Sequence, residues 1–486
     1  MEMLKLGYLN ENSKFSRCFK YAKQLIINML KLEWKTLITA LGVFAFLMIL
    51  FLTGGHSTYW NAIALGGLMI FLWVIEAVSI YVTALLPLIL AIPLGLLTSD
   101  DLANAYGNSN VYLFFGGSVL ALGLEKWKVH EQIAYAILTV VGDTKPRILL
   151  GFLLTTGLLS MWISNTATAL MMMPLAIAII KAMPLEHQKS KFSLFLMLSI
   201  AYASSIGGMG TLVGTPTNTQ MAAILQQNYH ITIGFFDWMK IGMPLSILLL
   251  LITFGFFYFA LGKERYDKHD FALEKKPWTR PQYLSVSIFG LVVLLWSFRE
   301  LIKAKTGFDY HDESAAIFGA ILMFSIPGDK THKQLLSWKD TEKLPWGILL
   351  LFGGGLALAR FLEVNGVINE LTKVLQSYSG YSIGVIILVM VIIGVFASEI
   401  LSNLALVVIF VPIVAAFAKT SGFDIVQMAI PLTLAASCAF MMPVGTPPNA
   451  IVFASGYIKM SQMVKVGFVL NIISILLITL FAILFL

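Results

Sequence analysis

Charge is scarce in this chain. Asp, Glu, Lys and Arg make up 12% of its 486 residues, against 58% hydrophobic. A soluble protein of that length needs far more charge to cover its surface. Cysteine is nearly absent too. Cys18 and Cys438 are the only two, which excludes a disulfide framework or a cysteine-built metal cluster. The sequence holds no Gly-x-x-x-x-Gly-Lys-Ser/Thr phosphate loop and no His-Glu-x-x-His pair. ATP-driven and zinc-hydrolase chemistry therefore lack their working parts, and the chain does not read as an enzyme. Signal-peptide features are missing as well: residues 1–35 are polar and basic, and no small-residue cleavage site follows the first apolar run. Within that segment Tyr21–Trp34 alternates apolar and basic residues like an interfacial helix.

What the chain has in abundance is apolar runs long enough to cross a bilayer. Leu37–Leu52, Asn61–Tyr81, Leu284–Phe298 and Val464–Leu486 are the clearest. No soluble domain is left between such runs. The formal charge of +7 invites a nucleic-acid reading, but the basic residues sit in short loops between apolar spans, where they act as a topology signal.

The sequence also repeats itself. Phe115-Gly116-Gly117 recurs as Phe352-Gly353-Gly354, and Ser164-Asn165 as Ser402-Asn403. Gly214-Thr215-Pro216-Thr217-Asn218 recurs as Gly445-Thr446-Pro447-Pro448-Asn449, and Trp238-Met239-Lys240-Ile241-Gly242 as Met463-Val464-Lys465-Val466-Gly467. Four matches in the same order, offset by 225 to 238 residues, indicate an internal structural repeat.

An all-α polytopic membrane protein follows, with about eleven transmembrane helices. Residues 1–35 form a cytoplasmic or interfacial segment and 36–54 the first transmembrane helix. Repeat one covers 61–262, with spans near 61–81, 82–97, 111–124, 193–226 and 240–262. Residues 263–282 are a cytoplasmic linker. Repeat two covers 283–486, with spans near 283–298, 312–327, 346–359, 427–456 and 464–486. Five spans per repeat make the two repeats inverted. Segments 148–182 and 383–418, each broken by Ser-Asn, read as re-entrant hairpins. With a cytoplasmic N-terminus, 26 of the 33 Lys and Arg residues lie on the inside, as the positive-inside rule requires. Inverted repeats with broken helices mark alternating-access transporters.

The breaks carry capping chemistry. Ser, Thr and Asn are preferred N-caps and Pro the preferred first helical residue. Ser164-Asn165-Thr166, Thr215-Pro216, Ser402-Asn403 and Thr446-Pro447 each open a half-helix inside the membrane. Four such N-termini, converging, form an anion site, and the carbonyl ends of the preceding halves suit Na⁺. A pair of symmetry-related sites suits a two-ended substrate such as a dicarboxylate; sulfate fits the same chemistry, and a channel remains the third reading. Among charges in apolar spans, Glu399 serves as a proton or cation site or pairs with backbone donors of the hairpin, and Glu76 reads as structural. The glycine clusters serve close packing.

These motifs, in this order over residues 36–486, resemble the divalent anion/sodium symporter family, the INDY-like dicarboxylate carriers. The resemblance implies a homodimer, each protomer pairing a scaffold with an elevator-type transport domain that carries C4–C6 dicarboxylates such as malate, succinate, fumarate and 2-oxoglutarate across the cell membrane. By position, Ser164, Asn165, Thr166, Thr215, Pro216, Ser402, Asn403, Thr446 and Pro447 match the substrate motifs. Ser160, Ser164, Asn165 and Gly214 match a first sodium site, and Ser398, Asn403 and Gly445 a second. The chain departs from the family at Leu404, where the second Ser-Asn-Thr loses its hydroxyl, and at Leu401. On those departures, sodium-independent exchange of dicarboxylates is the expected mode, with sodium-coupled symport as the alternative.

Overall fold

Backbone groups surrounded by apolar side chains must find partners within the chain, and here they do so by coiling into helices. The computed structural model describes residues 34–142, 144–266, 277–329, 332–376 and 380–486. The interfacial helix expected at Tyr21–Trp34 lies outside these residues except for Trp34, as do Cys18 and part of the 263–282 linker. Nine of the described helices are long and apolar enough to cross a membrane.

The described residues start with α1 (Trp34–Leu52) and α2 (Thr58–Ile75), followed by α3 (Ile80–Thr83), α4 (Leu86–Leu90), α5 (Ser99–Tyr106), α6 (Ser109–Lys126) and α7 (Val129–Val141). A helical hairpin follows, α8 (Lys145–Ser160) and α9 (Asn165–Ala182). Next comes a broken rod, α10 (Lys191–Gly208) and α11 (Pro216–Tyr229), and then a long helix, α12 (Phe235–Leu261). After α13 (Arg280–Thr306) and α14 (Asp312–Ser325) the pattern returns. There are α15 (Trp346–Val364), α16 (Val367–Leu375), the hairpin α17 (Ile383–Ser398) and α18 (Asn403–Ser421), the broken rod α19 (Ile425–Ala436) and α20 (Pro447–Ala454), and the long α21 (Met460–Phe485).

Two expected spans are not continuous helices. The run 61–81 ends at Ile75, where Glu76 takes a left-handed conformation (φ 48°) and its N–H closes the helix on Leu72 O. The stretch 82–97 is the short α3 and α4 with a turn beyond them. Hydropathy alone misses this, because the breakers are a left-handed cap and prolines embedded among apolar residues. Glu76 is therefore exposed past a helix end rather than lodged inside a span.

The halves mirror each other in the contacts of α3–α6 and α13–α15. Helix α14 packs on α6, and α3, α4 and α5 pack on α15. A Cβ on Gly116 would lie 2.7 Å from the Ala316 backbone, and one on Gly354 2.5 Å from Ala84 O. Gly116 thus corresponds to Gly354, one residue off the register given by the Phe-Gly-Gly match. Phe114 and Phe352, equivalent in this register, meet edge to face at 5.2 Å, so the relating axis passes between their rings. The Trp73 indole donates to Ile80 O at 3.1 Å and that of Trp296 to Asp312 O at 2.8 Å, a further equivalent pair on helices with little sequence likeness.

The close approaches make a contrast testable. Gly116→Val should lower the thermal unfolding midpoint in detergent, corresponding to about 1–3 kcal/mol of overpacking. Gly67→Ala, where a Cβ meets nothing within 4 Å, should leave the midpoint unchanged or raise it. Equal losses for both would contradict the packing described.

Candidate functional site

Four half-helix N-termini follow the breaks; each has the expected residue at its N-cap, and three of the four make the side-chain cap bond. Ser164 is the N-cap of α9 and its hydroxyl accepts the Ala167 N–H at 3.3 Å. Ser402 is the N-cap of α18 and accepts from Ala405 N–H at 3.2 Å. Thr446 caps α20 and accepts from Asn449 N–H at 3.4 Å. Thr215 holds the N-cap position of α11 in extended conformation without a side-chain cap bond; its hydroxyl instead accepts from Thr217 at 3.2 Å. Pro216 and Pro447 stand at the first helical positions.

The breaks come together across the repeats. Helix α9 packs on α20 of the other repeat, and α11 on α18. Each hairpin therefore meets the half-helix of the opposite repeat. Thr215 and Thr446 are buried, Asn165, Thr166, Ser402 and Asn403 half-buried, and Ser164 and Pro447 exposed. First-turn N–H groups at such termini have no partner within their own helix, and the helix dipole places positive potential there. The site offers amides, hydroxyls and dipoles to an anion.

Oxygen atoms crowd the first hairpin. Ser160 Oγ lies 2.8 Å from Asn165 Oδ1 and 2.7 Å from Ser204 O. Three oxygens thus share one hydroxyl hydrogen. Gly214 lies alongside: a Cβ there would be 2.6 Å from Gly208 O and 3.0 Å from Met161 O. At the second hairpin Ser398 donates to Val395 O at 2.8 Å, and the buried Asn403 Oδ1 has no hydrogen-bond partner. Gly445 sits against Glu399 Oε2, which would be 3.2 Å from a Cβ. Surplus acceptors of this kind suit a hard cation that takes oxygen ligands.

Several residues build the loops in ways the sequence does not state. Asn218 donates to Gly208 O at 3.1 Å and Thr211 O at 2.8 Å; its equivalent Asn449 donates to Ala439 O at 2.9 Å and Met442 O at 3.0 Å. These asparagines staple the non-helical turns, so the last residue of Gly-Thr-Pro-x-Asn serves the loop. The turns are also tied to the hairpins by different means. Thr211 donates its hydroxyl to Met161 O and accepts from Gly214 N–H at 3.0 Å. In repeat two the place of Met161 is taken by Glu399. Its carboxylate accepts the N–H groups of Phe440, Met441 and Met442 at 2.8, 2.9 and 2.8 Å and the Asn471 amide at 2.7 Å. Of the two roles open to Glu399, a pairing with backbone donors is present, but the donors belong to the loop between α19 and α20 and not to the hairpin itself. Charge-assisted bonds are about twice as strong as neutral ones, so this one side chain fastens the second loop.

A model of the sodium:sulfate symporter transmembrane region matches residues 31–486. The chain belongs to the sodium:sulfate symporter family. It is similar to the sodium-dependent dicarboxylate transporter SdcS of Staphylococcus saprophyticus, 39% identical over 430 residues, covering 84% of this chain and 82% of the relative. Its match to SdcS of Staphylococcus aureus strain USA300 is 37% over 469 residues, covering 90% and 89%. Among solved structures it resembles the YdaH transporter of Alcanivorax borkumensis (TM-score 0.55, 11% identity, 78% of this chain and 85% of that one). It also resembles MtrF of Neisseria gonorrhoeae (TM-score 0.59, 13% identity, 83% and 85%). At such identities these two speak for the fold alone. The chain is a multi-pass membrane transporter and not an enzyme.

Glu399→Gln replaces one acceptor oxygen with an NH₂ that faces backbone donors. It should destabilise the folded protein by about 1–3 kcal/mol, the cost of leaving a buried N–H without its acceptor, read as a lowered unfolding midpoint of the purified variant. An unchanged midpoint would show that the carboxylate does not hold the loop.

Proposed function

We propose that the chain carries small dicarboxylates across the cell membrane, coupled to sodium, by alternating access of the paired broken helices. The observation that carries the reading is the composition of the breaks. Half-helix N-termini with hydroxyl and amide caps occur in matched sets, suited to the two ends of a dianion. Beside them lie oxygens in excess of hydrogens: Ser160 Oγ, Asn165 Oδ1 and Ser204 O in one repeat, the unpartnered Asn403 Oδ1 in the other. Ser164, Asn165, Thr166, Thr215, Pro216, Ser402, Asn403, Thr446 and Pro447 surround the dicarboxylate. Sodium, as co-substrate, takes Ser160, Ser164, Asn165 and Gly214 in one repeat and Ser398, Asn403 and Gly445 in the other.

The expectation of sodium-independent exchange is set aside. Both staphylococcal relatives are sodium-dependent dicarboxylate transporters. Leu404, whose missing hydroxyl prompted that expectation, is 8% exposed and buried in the packing of α18. A change of side chain there leaves the backbone N–H of the half-helix in place, so the anion-binding element survives it. The dianion is preferred to sulfate because two separate capped hairpins serve two charge centres. The N-terminus is cytoplasmic, by the distribution of Lys and Arg, and the working unit is a dimer.

Purified protein in empty liposomes should accumulate radiolabelled succinate when sodium is imposed outside, and not when potassium replaces it. Asn165→Ala and Asn403→Ala should each reduce that uptake at least a hundredfold while still inserting in the membrane. Uptake that requires internal dicarboxylate and ignores sodium would restore the exchange reading.

A further inference from the structure

The two repeats share one architecture but differ in what their tips touch. In repeat one the tip residue Trp162 stacks near Phe235 (6.0 Å, 26°) and meets Phe289 of α13 edge-on (4.9 Å, 86°). Phe235 in turn stacks on Trp296 of α13 at 4.0 Å, and its backbone N–H donates to Asp312 Oδ2 at 2.7 Å. The other oxygen of Asp312 lies 3.7 Å from Arg299 Nη1. Val213 packs on Gly117 of α6. The repeat-two equivalents of Trp162 and Val213 are Ile400 and Val444, and these are 78% and 77% exposed.

The half-helices show the same imbalance. Helix α11 packs on α6 and α15, and α18 on α2, α15 and α16, whereas α9 and α20 pack on each other and on α8 and α10. One end of the body formed by the two hairpins and the two broken rods, the mobile part in the alternating-access reading, is packed on α2, α6, α15 and α16, the scaffold of that reading, and its other end stands clear. A cavity of only about 40 Å³, lined in part by Asn110, Gln226, Thr232, Arg299 and His311, is left at the seated end.

We propose that Asp312, with the Trp162–Phe235–Trp296 stack, is a latch made in one end state only, which holds the mobile body shut against the scaffold at the face that the charge distribution places outside. The inference rests on the alternating-access reading above. The reason it is one-sided lies in the sequence. Where repeat one meets Asp312, Arg299, Phe289 and the Phe235 N–H, the opposite face has Ile80, Glu76, Gly66 and Met460. Ile80 keeps the indole bond from Trp73 but brings no carboxylate. Gly66 brings no ring, and Met460 is 40% exposed. A buried charge-assisted bond and an aromatic stack thus favour the state closed outside, with no equal counterpart in the state closed inside. Release of this latch is the event that admits substrate from outside.

The test uses the full chain in cells and in inside-out vesicles, with Cys18 and Cys438 changed to Ser and a single probe at Ala222→Cys, which lines the small cavity and is buried, or at Ile400→Cys. A membrane-impermeant maleimide reads each face. Without substrate, Ile400→Cys should react from the inside and Ala222→Cys only slowly from the outside. Asp312→Ala should speed outside labelling at Ala222→Cys about tenfold and slow inside labelling at Ile400→Cys. Trp162→Leu should act in the same direction and serves should Asp312→Ala fail to insert. Unchanged rates at both probes in an inserted variant, with the probes still labelled from opposite faces, would overturn the latch and leave alternating access standing. Labelling of Ile400→Cys from both faces at once would overturn both.

Discussion

A helix cannot be interrupted inside an apolar slab unless every backbone group it releases finds another partner, and this requirement governs the whole molecule. The interruptions at 161–164, 209–215, 399–402 and 437–446 are tolerable because protein surrounds them and supplies the missing bonds. Asn218 and Asn449 take two carbonyls each, and Glu399 takes three N–H groups. What the loops leave over, the N–H groups of four half-helices and a few surplus oxygens, is what an anion and a cation can use. The binding chemistry is thus the remainder of a structural problem solved almost completely.

Much of this was legible in the sequence, for physical reasons. Ser, Thr, Asn and Pro at the start of an apolar run have few meanings other than a helix N-terminus, so Ser164, Ser402, Thr215 and Thr446 fall where capping rules put them. The repeat was legible because the motifs that make the breaks cannot drift. In α2 and α13 it was not: Trp73 with Ile80 and Trp296 with Asp312 are equivalent through a backbone carbonyl, which leaves no mark on residue type. The left-handed turn at Glu76 escaped for a related reason, since apolar composition continues through it. Asn218 and Asn449 were visible as part of a motif, but their work inside the loop depends on carbonyls brought back by the turn.

The repeats also diverge where equivalence is not enforced. Each ties its loop to its hairpin, one through the hydroxyl of Thr211 and the other through the carboxylate of Glu399. The tie must exist, but its chemistry is free. The same freedom lets one face hold Asp312 and an aromatic stack while the other holds Ile80 and Gly66. In the alternating-access reading proposed above, two-fold pseudosymmetry supplies the two end states and departures from it set their relative populations.

The central claim is that a dianion sits at the convergence of the capped half-helices with sodium beside it. The most direct test is an experimental structure of the protein with succinate in sodium-containing medium. The account predicts one carboxylate within hydrogen-bond distance of Ser164–Asn165, the other within reach of Ser402–Asn403, and a cation among Ser160, Asn165 and Gly214. Succinate bound elsewhere, such as beside Arg299 and His311, with the half-helix N-termini vacant, would contradict it.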